Sequence, residues 1–519
     1  MSSTKVLRIL QAIIFLIIIG LSIFTRFYHL ENNPGIYSDE GTVLNVVNNL
    51  LEGRSEYLGV QGSLLFLGRM PVFPYFLKIL AKFFPFNLLT LRFVTASAGV
   101  LTVAVIFFCL RDIFSKDALL VPYFASLFLA LDFHGVLFSR MGFGYNLLAP
   151  LTVVVYWMLW KSIQTREWKW LFIAAFLGSW GVLVELAYMG YLLFIALIAV
   201  VVNWRKSPWI ILILALPFTL YFLWSWFTFG DSFLFDWKFT SLRINAPLLV
   251  QLGRTILVYV FDLLKKPIIL LGMFGFFLLS DKRLSLFSFA SFFVPLIILL
   301  RTVSIGYQSF YYVIPYYPLV FIGIGVLSAQ GTNLLISLAG EYYDIFLKNR
   351  VPVWISEYLK AFLTVSLLLV FSAPFFAHLY NVYNQVAFGF RTDFDPLMIP
   401  VSEVRSVTDY VNREVSPDDL VLASPAIAWA IHAHATDYQI SIAVNQGSTI
   451  HFPLGIPRER MRFETDYHQA KYWIVDSIIL NWGQFVIPEA QQMLKEVQSK
   501  WIPVYQTSVV TVYQNPFIK

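Results

Sequence analysis

Apolar residues run almost unbroken through most of this chain, in stretches separated by short polar loops. Such stretches fall at residues 9–28, 88–110, 118–131, 144–160, 170–185, 188–202, 208–228, 266–280, 284–300, 310–328 and 357–378. A helix crosses ~30 Å of hydrocarbon with about 20 residues, so most of these read as membrane spans. Residues 72–86 are different. As a helix they would measure only ~22 Å. Phe76, Ile79, Leu80 and Phe83 recur at helical spacing, while Lys78 and Lys82 share the other side with Tyr75. That pattern predicts a helix lying in the headgroup layer.

With that segment kept out of the count, the basic loops sort themselves. Lys5 and Arg8, Arg111 and Lys116, Lys161, Arg166 and Lys169, Arg205 and Lys206, and Lys282 and Arg283 all fall on one side. The positive-inside rule makes that side the cytoplasm. Loops 29–87, 132–143, 229–265 and 301–309 then face outward, as does everything after residue 378. The first run has no small-residue cleavage site behind it and reads as a retained span.

From about residue 395 the pattern changes. Hydrophobicity drops, strand-like runs occur at 420–423, 472–475 and 509–513, and helical patterns lie at 402–415 and 488–499. Strands alternating with helices predict a small α/β domain. The fold class expected is therefore an α-helical polytopic membrane protein of about 11 to 13 transmembrane helices, with interfacial helices in the first outer loop, followed by a soluble α/β domain. Residues 1–380 would form the membrane domain, 381–400 a linker and 401–519 an extracytoplasmic domain.

Composition agrees: 58% of residues are hydrophobic and only 13% charged. Of 37 basic and 31 acidic residues, 28 and 18 precede Asp395. The basic excess thus belongs to the membrane part, where it serves as an orientation signal and not as a nucleic-acid footprint. The one cysteine, Cys109, excludes an internal disulfide.

Candidate chemistry gathers in the outer loops. Tyr37-Ser38-Asp39-Glu40-Gly41 opens an amphipathic helix whose apolar face is Val43, Val46, Val47, Leu50 and Leu51, with Gly53 to end it. The plain structural reading is helix capping by Ser38 and Asp39. The functional reading is a carboxylate at the lipid–water boundary acting as general base toward a hydroxyl or amine. Arg69, before Pro71-Val72-Phe73-Pro74-Tyr75, could meet a phosphate through its planar fork or simply touch headgroups. Arg140 sits in Phe138-Ser139-Arg140-Met141-Gly142-Phe143-Gly144-Tyr145, where it could bind an anion or snorkel. Tyr311-Tyr312-Val313-Ile314-Pro315-Tyr316-Tyr317-Pro318, with Arg301 nearby, reads equally as an interface belt and as an aromatic pocket. His134 reads as structural, His432, His434 and Asp437 as packing or surface residues, and Arg458, Arg460 and Arg462 as solvated charge. Nothing in these spacings calls for a cofactor, and a divalent metal has no ligand pattern to support it.

In order and placement these motifs resemble the protein O-mannosyltransferase and aminoarabinose transferase superfamily, the C-type membrane glycosyltransferases (glycosyltransferase family 39-like). The resemblance rests on Asp39-Glu40 after the first span, Arg69 to Tyr75, Arg92 to Ser97 opening the next span, Ser139 to Tyr145, and the Tyr-x-x-Pro-x-x-Pro run at Tyr312. It departs from the family at Met70-Pro71, where a Pro-Pro pair is common, and at Gln308-Ser309-Phe310, where a basic residue is common. The resemblance implies inverting transfer of one sugar from a polyprenyl- or dolichyl-phosphate donor on the outer face of the plasma membrane. It makes Asp39 the catalytic base with Glu40 beside it. Arg69 takes the position of the family's basic phosphate contact; from the residues themselves, Arg140 and Arg301 join it as candidate phosphate contacts, and Tyr37, Tyr75, Tyr145, Tyr312 and Tyr316 are the candidate substrate pocket. The partners implied are the lipid-linked sugar, membrane lipids and an acceptor that is glycan, lipid or protein.

Three other readings compete: a polytopic transporter, a glycan polymerase or ligase using a pyrophosphate-linked donor, and a glycolipid-binding protein without catalysis. A transporter places ionisable groups near the midplane. Here Glu185, at a predicted outer turn, comes nearest to that.

Overall fold

The computed structural model describes residues 3–63, 70–114, 119–242, 253, 267–302, 310–342, 345, 353–390 and 398–518. Helices cover every apolar stretch read from the sequence: α1 (Ser3–Phe27), then, after the surface helices α2 (Ser38–Leu51) and α3 (Val72–Leu80), α4 (Leu88–Ile113), α5 (Val121–Leu131) with its continuation α6 (Phe133–Ser139), α7 (Tyr145–Thr165), α8 (Trp168–Val184), α9 (Met189–Asn203), α10 (Ser207–Phe229), the short α11 (Asp231–Leu242), α12 (Pro267–Phe277), α13 (Lys282–Thr302), α14 (Tyr317–Tyr342) and α15 (Val353–Phe388). Among the described residues six helical spans, one of them α9 extended back to Leu186, are long and apolar enough to cross a bilayer by themselves, or seven if the bent pair α5–α6 counts as one span.

Close helix contacts come from small residues, because apolar side chains gain nothing by leaving lipid for each other. A β-carbon at Gly275 of α12 would lie 1.9 Å from the Gly323 carbonyl oxygen of α14. The 59° bend between α5 and α6 falls at Asp132, whose carboxylate accepts from Gly135 N at 2.7 Å and caps α6. The carbonyls freed by the break are not left bare: Arg26 of α1 donates to Ala130 O at 2.9 Å and to Leu129 O at 3.1 Å. Backbone that departs from helix at membrane depth needs such partners.

The interfacial helix is shorter than residues 72–86 would allow, ending at Leu80. Phe73, Pro74 and Leu77 are buried against the protein, while Phe76, Ile79 and Phe83 point away from it. The split fits a helix pinned on one side and immersed in lipid on the other.

After α15 the chain forms a five-stranded sheet in the order β6-β5-β7-β9-β8. It comprises β5 (Leu420–Leu422), β6 (His434–Thr436), β7 (Tyr472–Asp476), β8 (Ile502–Gln506) and β9 (Val510–Gln514). β5 runs parallel to both β6 and β7, and β9 is antiparallel to β7 and β8. All five residues of β7 are buried, as expected of a strand covered on both faces.

This domain is stitched onto the segment between α1 and α4. β1 (Ile36–Tyr37) pairs with β4 (Met398–Ile399). The hairpin of β2 (Glu56–Tyr57) and β3 (Val60–Gln61) receives Thr436 Oγ1 on Leu58 O at 3.1 Å and Arg462 N on Gly59 O at 2.9 Å. Arg460 corrects the reading of its neighbourhood as solvated. It is buried, ion-paired to Asp236 of α11 at 2.9 Å, and donates to Gln61 O at 3.0 Å. An alternating run of charges looks like a wet loop in sequence, yet one member here closes an interface.

Candidate active site

The helix that carries the acidic pair starts where the sequence places it, but a different residue caps it. Tyr37 is the N-cap residue, and its N–H donates to Glu40 Oε2 at 3.0 Å. Glu40 thus reaches back as the acidic member of a capping box. The same oxygen accepts from Arg92 Nη2 at 2.9 Å, while Oε1 accepts from Arg92 Nε at 2.8 Å and Gly142 N at 2.9 Å. Four donors therefore meet a carboxylate that has about four acceptor positions.

Arg92 is equally committed. Beyond the two bonds to Glu40, it donates to Leu30 O at 3.2 Å, Pro34 O at 2.9 Å and Gly35 O at 2.8 Å. These bonds use the full donor set of a guanidinium. Neither side chain is exposed. Glu40 was expected to share catalysis with Asp39. The geometry corrects this: it is the clasp that fixes α2 to α4 and to the 141–146 turn. Arg92 was not singled out as a site residue. Its signal was a cation four residues inside an apolar helix, where a charge persists only with a partner.

Arg140 is also placed differently from the anion contact expected of it. It is fully buried, and its donors go to backbone carbonyls: Thr25 O at 2.8 Å, Tyr28 O at 2.7 Å, and Asn33 O at 3.1 Å from Nε and 2.7 Å from Nη2. The Phe390 ring covers it at 5.7 Å. Arg140 holds the chain as it leaves α1, with four of its five donors committed to backbone carbonyls.

Asp39 differs from both. It is half-buried, and one residue along a helix points about 100° away from Glu40. Its carboxylate lies close enough to Tyr311 to add to the burial that pushes that phenol well above its ordinary range, together with Tyr312, Tyr37 and Tyr145. The rings around it form a connected group. Tyr37 meets Phe143 at 5.4 Å and Tyr311 at 6.1 Å, and Tyr145 meets Tyr311 at 5.6 Å and Tyr312 at 5.4 Å. Such centroid distances are those of edge-on and offset aromatic packing.

Of the five tyrosines read as pocket-lining, Tyr37, Tyr145 and Tyr312 thus come together. Tyr316 does not. It is buried between Tyr188 and Tyr191, with its hydroxyl on Ala187 O at 2.9 Å, so it belongs to the helix core. Tyr75 is exposed on α3, outside this ring group. Arg69 lies outside the described residues. Arg301 is the next-to-last residue of α13, and its side chain is likewise outside them. Glu185 follows α8 and is buried: a β-carbon at Gly144 would stand 2.8 Å from its Oε1 and 3.1 Å from Phe73 Cδ1. A buried carboxyl therefore borders the same turn that presents Tyr145.

Known proteins share this architecture. Residues 69–226 match the family described as dolichyl-phosphate-mannose-protein mannosyltransferase. No curated protein sequence matches the chain. The crystal structure of ArnT from Cupriavidus metallidurans bound to undecaprenyl phosphate superposes with a TM-score of 0.57 at 12% identity, covering 99% of this chain and 98% of that one. The archaeal oligosaccharyltransferase AglB from Archaeoglobus fulgidus, in complex with an inhibitory peptide and a dolichol-phosphate, gives 0.53 at 12% identity, covering 97% of this chain and 74% of that one. At such identities the likeness is one of fold. The resemblance to the C-type membrane glycosyltransferases drawn from the sequence holds: a family match lies in the membrane part and a shared fold spans nearly the whole chain.

Proposed function

We propose that this protein is a membrane glycosyltransferase that moves one sugar from a polyprenyl- or dolichyl-phosphate donor to an acceptor on the outer face of the plasma membrane, with inversion and with Asp39 as general base. The observation that carries this reading is the division of labour in the acidic pair. Glu40 is buried and takes bonds from four donors, while its neighbour Asp39 is half-buried and close enough to Tyr311 to act on its phenol.

The chemistry needs little else. The acceptor hydroxyl or amine attacks the anomeric carbon, its proton passes to the Asp39 carboxylate, and the bond from that carbon to the phosphate oxygen breaks with its electron pair. The carrier leaves as a phosphate monoester carrying more negative charge than the donor. Preorganised guanidinium groups stabilise such developing charge. With Arg140 spent on carbonyls, Arg69 and Arg301 are the candidates for that work. Lipid phosphates in the ArnT and AglB structures support the donor class.

The outer location is supported by the charge pattern. Arg111, at the far end of α4 from Arg92, lies one residue from Asp112, which pairs with Lys161 at the far end of α7 from Tyr145. Basic clusters and the candidate site thus sit at opposite ends of the same helices, as the positive-inside rule asks of an outward-facing site.

Proteoliposomes carrying the protein, incubated with polyprenyl-phosphate-linked mannose, glucose or aminoarabinose and extracted membrane glycans, lipids and proteins, test the reading. The expected result is protein-dependent release of polyprenyl phosphate and a product of opposite anomeric configuration. Uptake of an intact sugar lipid across the bilayer, with no bond cleaved, would establish the transporter instead.

A further inference from the structure

The acidic helix is gripped from two sides, and only one grip comes from the membrane helices. Arg92 holds Glu40 from below. From above, contacts to the C-terminal domain bracket Asp39 in sequence. Tyr37, two residues before it, pairs with Met398. Gly41, two residues after it, packs so tightly on the turn Pro425–Ala428 that a β-carbon would fall 1.8 Å from the Pro425 carbonyl oxygen and 2.9 Å from Ala426 Cα.

That turn is itself fastened to the sheet. Ser424 directly precedes it and follows β5; its carbonyl accepts from Ile427 N at 3.0 Å and Ala428 N at 2.9 Å. The Ser424 hydroxyl donates to Asp476 Oδ2 at the end of β7. The other Asp476 oxygen accepts from Ile478 N at 2.9 Å and Ile479 N at 3.2 Å. Both side chains are fully buried. From β5 the chain moves to β6 on one side and from β7 to β8 on the other, so the carboxyl ends of the neighbouring strands β5 and β7 form the crevice where open α/β sheets take their ligands. Here Ser424 and Asp476 close that crevice, and the turn they hold lies against α2.

We propose that the C-terminal domain uses this carboxyl edge to set the working position of the Asp39 helix, with Ser424 and Asp476 as positioning residues acting through Pro425 and Gly41. This rests on the reading of Asp39 as base. The physical reason is that a base works only within hydrogen-bond reach of its proton, and displacement by about 1 Å can cost ~10²-fold in rate. Breaking the Ser424 bond leaves a buried carboxylate oxygen without its donor and loosens the turn beneath it.

The test compares Ser424→Ala, Ser424→Thr and Asp39→Asn in proteoliposomes, using whichever polyprenyl-phosphate sugar the wild-type protein consumes. Thermal unfolding confirms the folded state. For Ser424→Ala the expected result is a fall in kcat of about 10- to 100-fold with an unchanged KM for the lipid donor, recovered in Ser424→Thr, which keeps the hydroxyl. A merely stabilising bond would lower the unfolding temperature and leave kcat alone. Folded Ser424→Ala with wild-type kcat, beside an inactive Asp39→Asn, overturns the positioning role and leaves the base intact. An active Asp39→Asn overturns the base reading, and this proposal with it. If Ser424→Ala does not fold, the near-isosteric Ser424→Cys, a weaker donor, is read by the same division of kcat from KM.

Discussion

Arg92 grips Glu40 fork to fork, Nε on Oε1 at 2.8 Å and Nη2 on Oε2 at 2.9 Å, with both side chains fully buried. A pair like this has given up its water, so removing one partner strands the other charge and costs about 3–5 kcal/mol. Glu40→Ala is therefore expected to lower the unfolding temperature sharply and to cut the yield of folded protein. Arg92→Lys should do nearly the same, because an ammonium cannot span both carboxylate oxygens. Thermal unfolding of the detergent-purified variants checks this. A folded Glu40→Ala of wild-type stability would show that the clasp carries little.

Arg140 gives a sharper contrast between structure and binding. All its hydrogen bonds go to the carbonyls of Thr25, Tyr28 and Asn33. Arg140→Lys is expected to destabilise the protein by roughly 2–4 kcal/mol through lost charge-assisted bonds. Among the molecules that fold, the KM for the lipid donor should not change. A large rise in that KM at normal stability would return Arg140 to the phosphate site.

These two arginines mark where the sequence stops being legible. Long apolar runs dictate helices almost alone, because lipid offers the backbone no other partner, so each such run appears as a helix. The opening of α2 was equally readable from Ser38 to Gly53. What side chains do around the candidate site is not. Arg140 flanked by glycines looks the same in sequence whether it faces a ligand or backbone carbonyls, and the choice depends on the chain folding back from residues 25–33, more than a hundred positions away. Tyr312 and Tyr316 share one aromatic run, yet a turn sends one to the Asp39 group and the other into the core beside Tyr191. Gly41 looks like a helix-weakening residue until Pro425 is found against it.

The edge of the C-terminal sheet should make stability depend on pH. Burial pushes Asp476 up to about 6 against the pull of Ser424, and burial pushes Asp437 up to about 7, with the nearby Asp476 raising it further. An unfolded aspartate titrates near ~3.9, so the folded protein holds protons that the unfolded chain has lost. Their contribution to stability is present at low pH and is lost as pH rises from about 4 to about 7. Unfolding temperatures measured from pH 5 to 8 should therefore show a decline in the wild type that is shallower in Asp437→Asn. Parallel profiles for the two proteins would contradict this.

Orientation is open to chemical labelling. Cys109 is the single cysteine and is buried. Exposed Ser499 in the C-terminal domain and exposed Gln164 near the end of α7 offer sites on the two sides. In intact cells a membrane-impermeant maleimide should label Ser499→Cys and should reach Gln164→Cys only after permeabilisation. The reverse pattern would put the candidate site on the cytosolic face.

The central claim is that the Asp39 carboxylate takes the acceptor's proton. The direct measurement is the single-turnover rate of sugar transfer in wild type, Asp39→Asn and Asp39→Glu, with donor binding measured on the same preparations. Asp39→Asn should bind the donor normally and transfer about 10²–10⁴-fold more slowly, with partial activity in Asp39→Glu. Transfer by Asp39→Asn at the wild-type rate would contradict it.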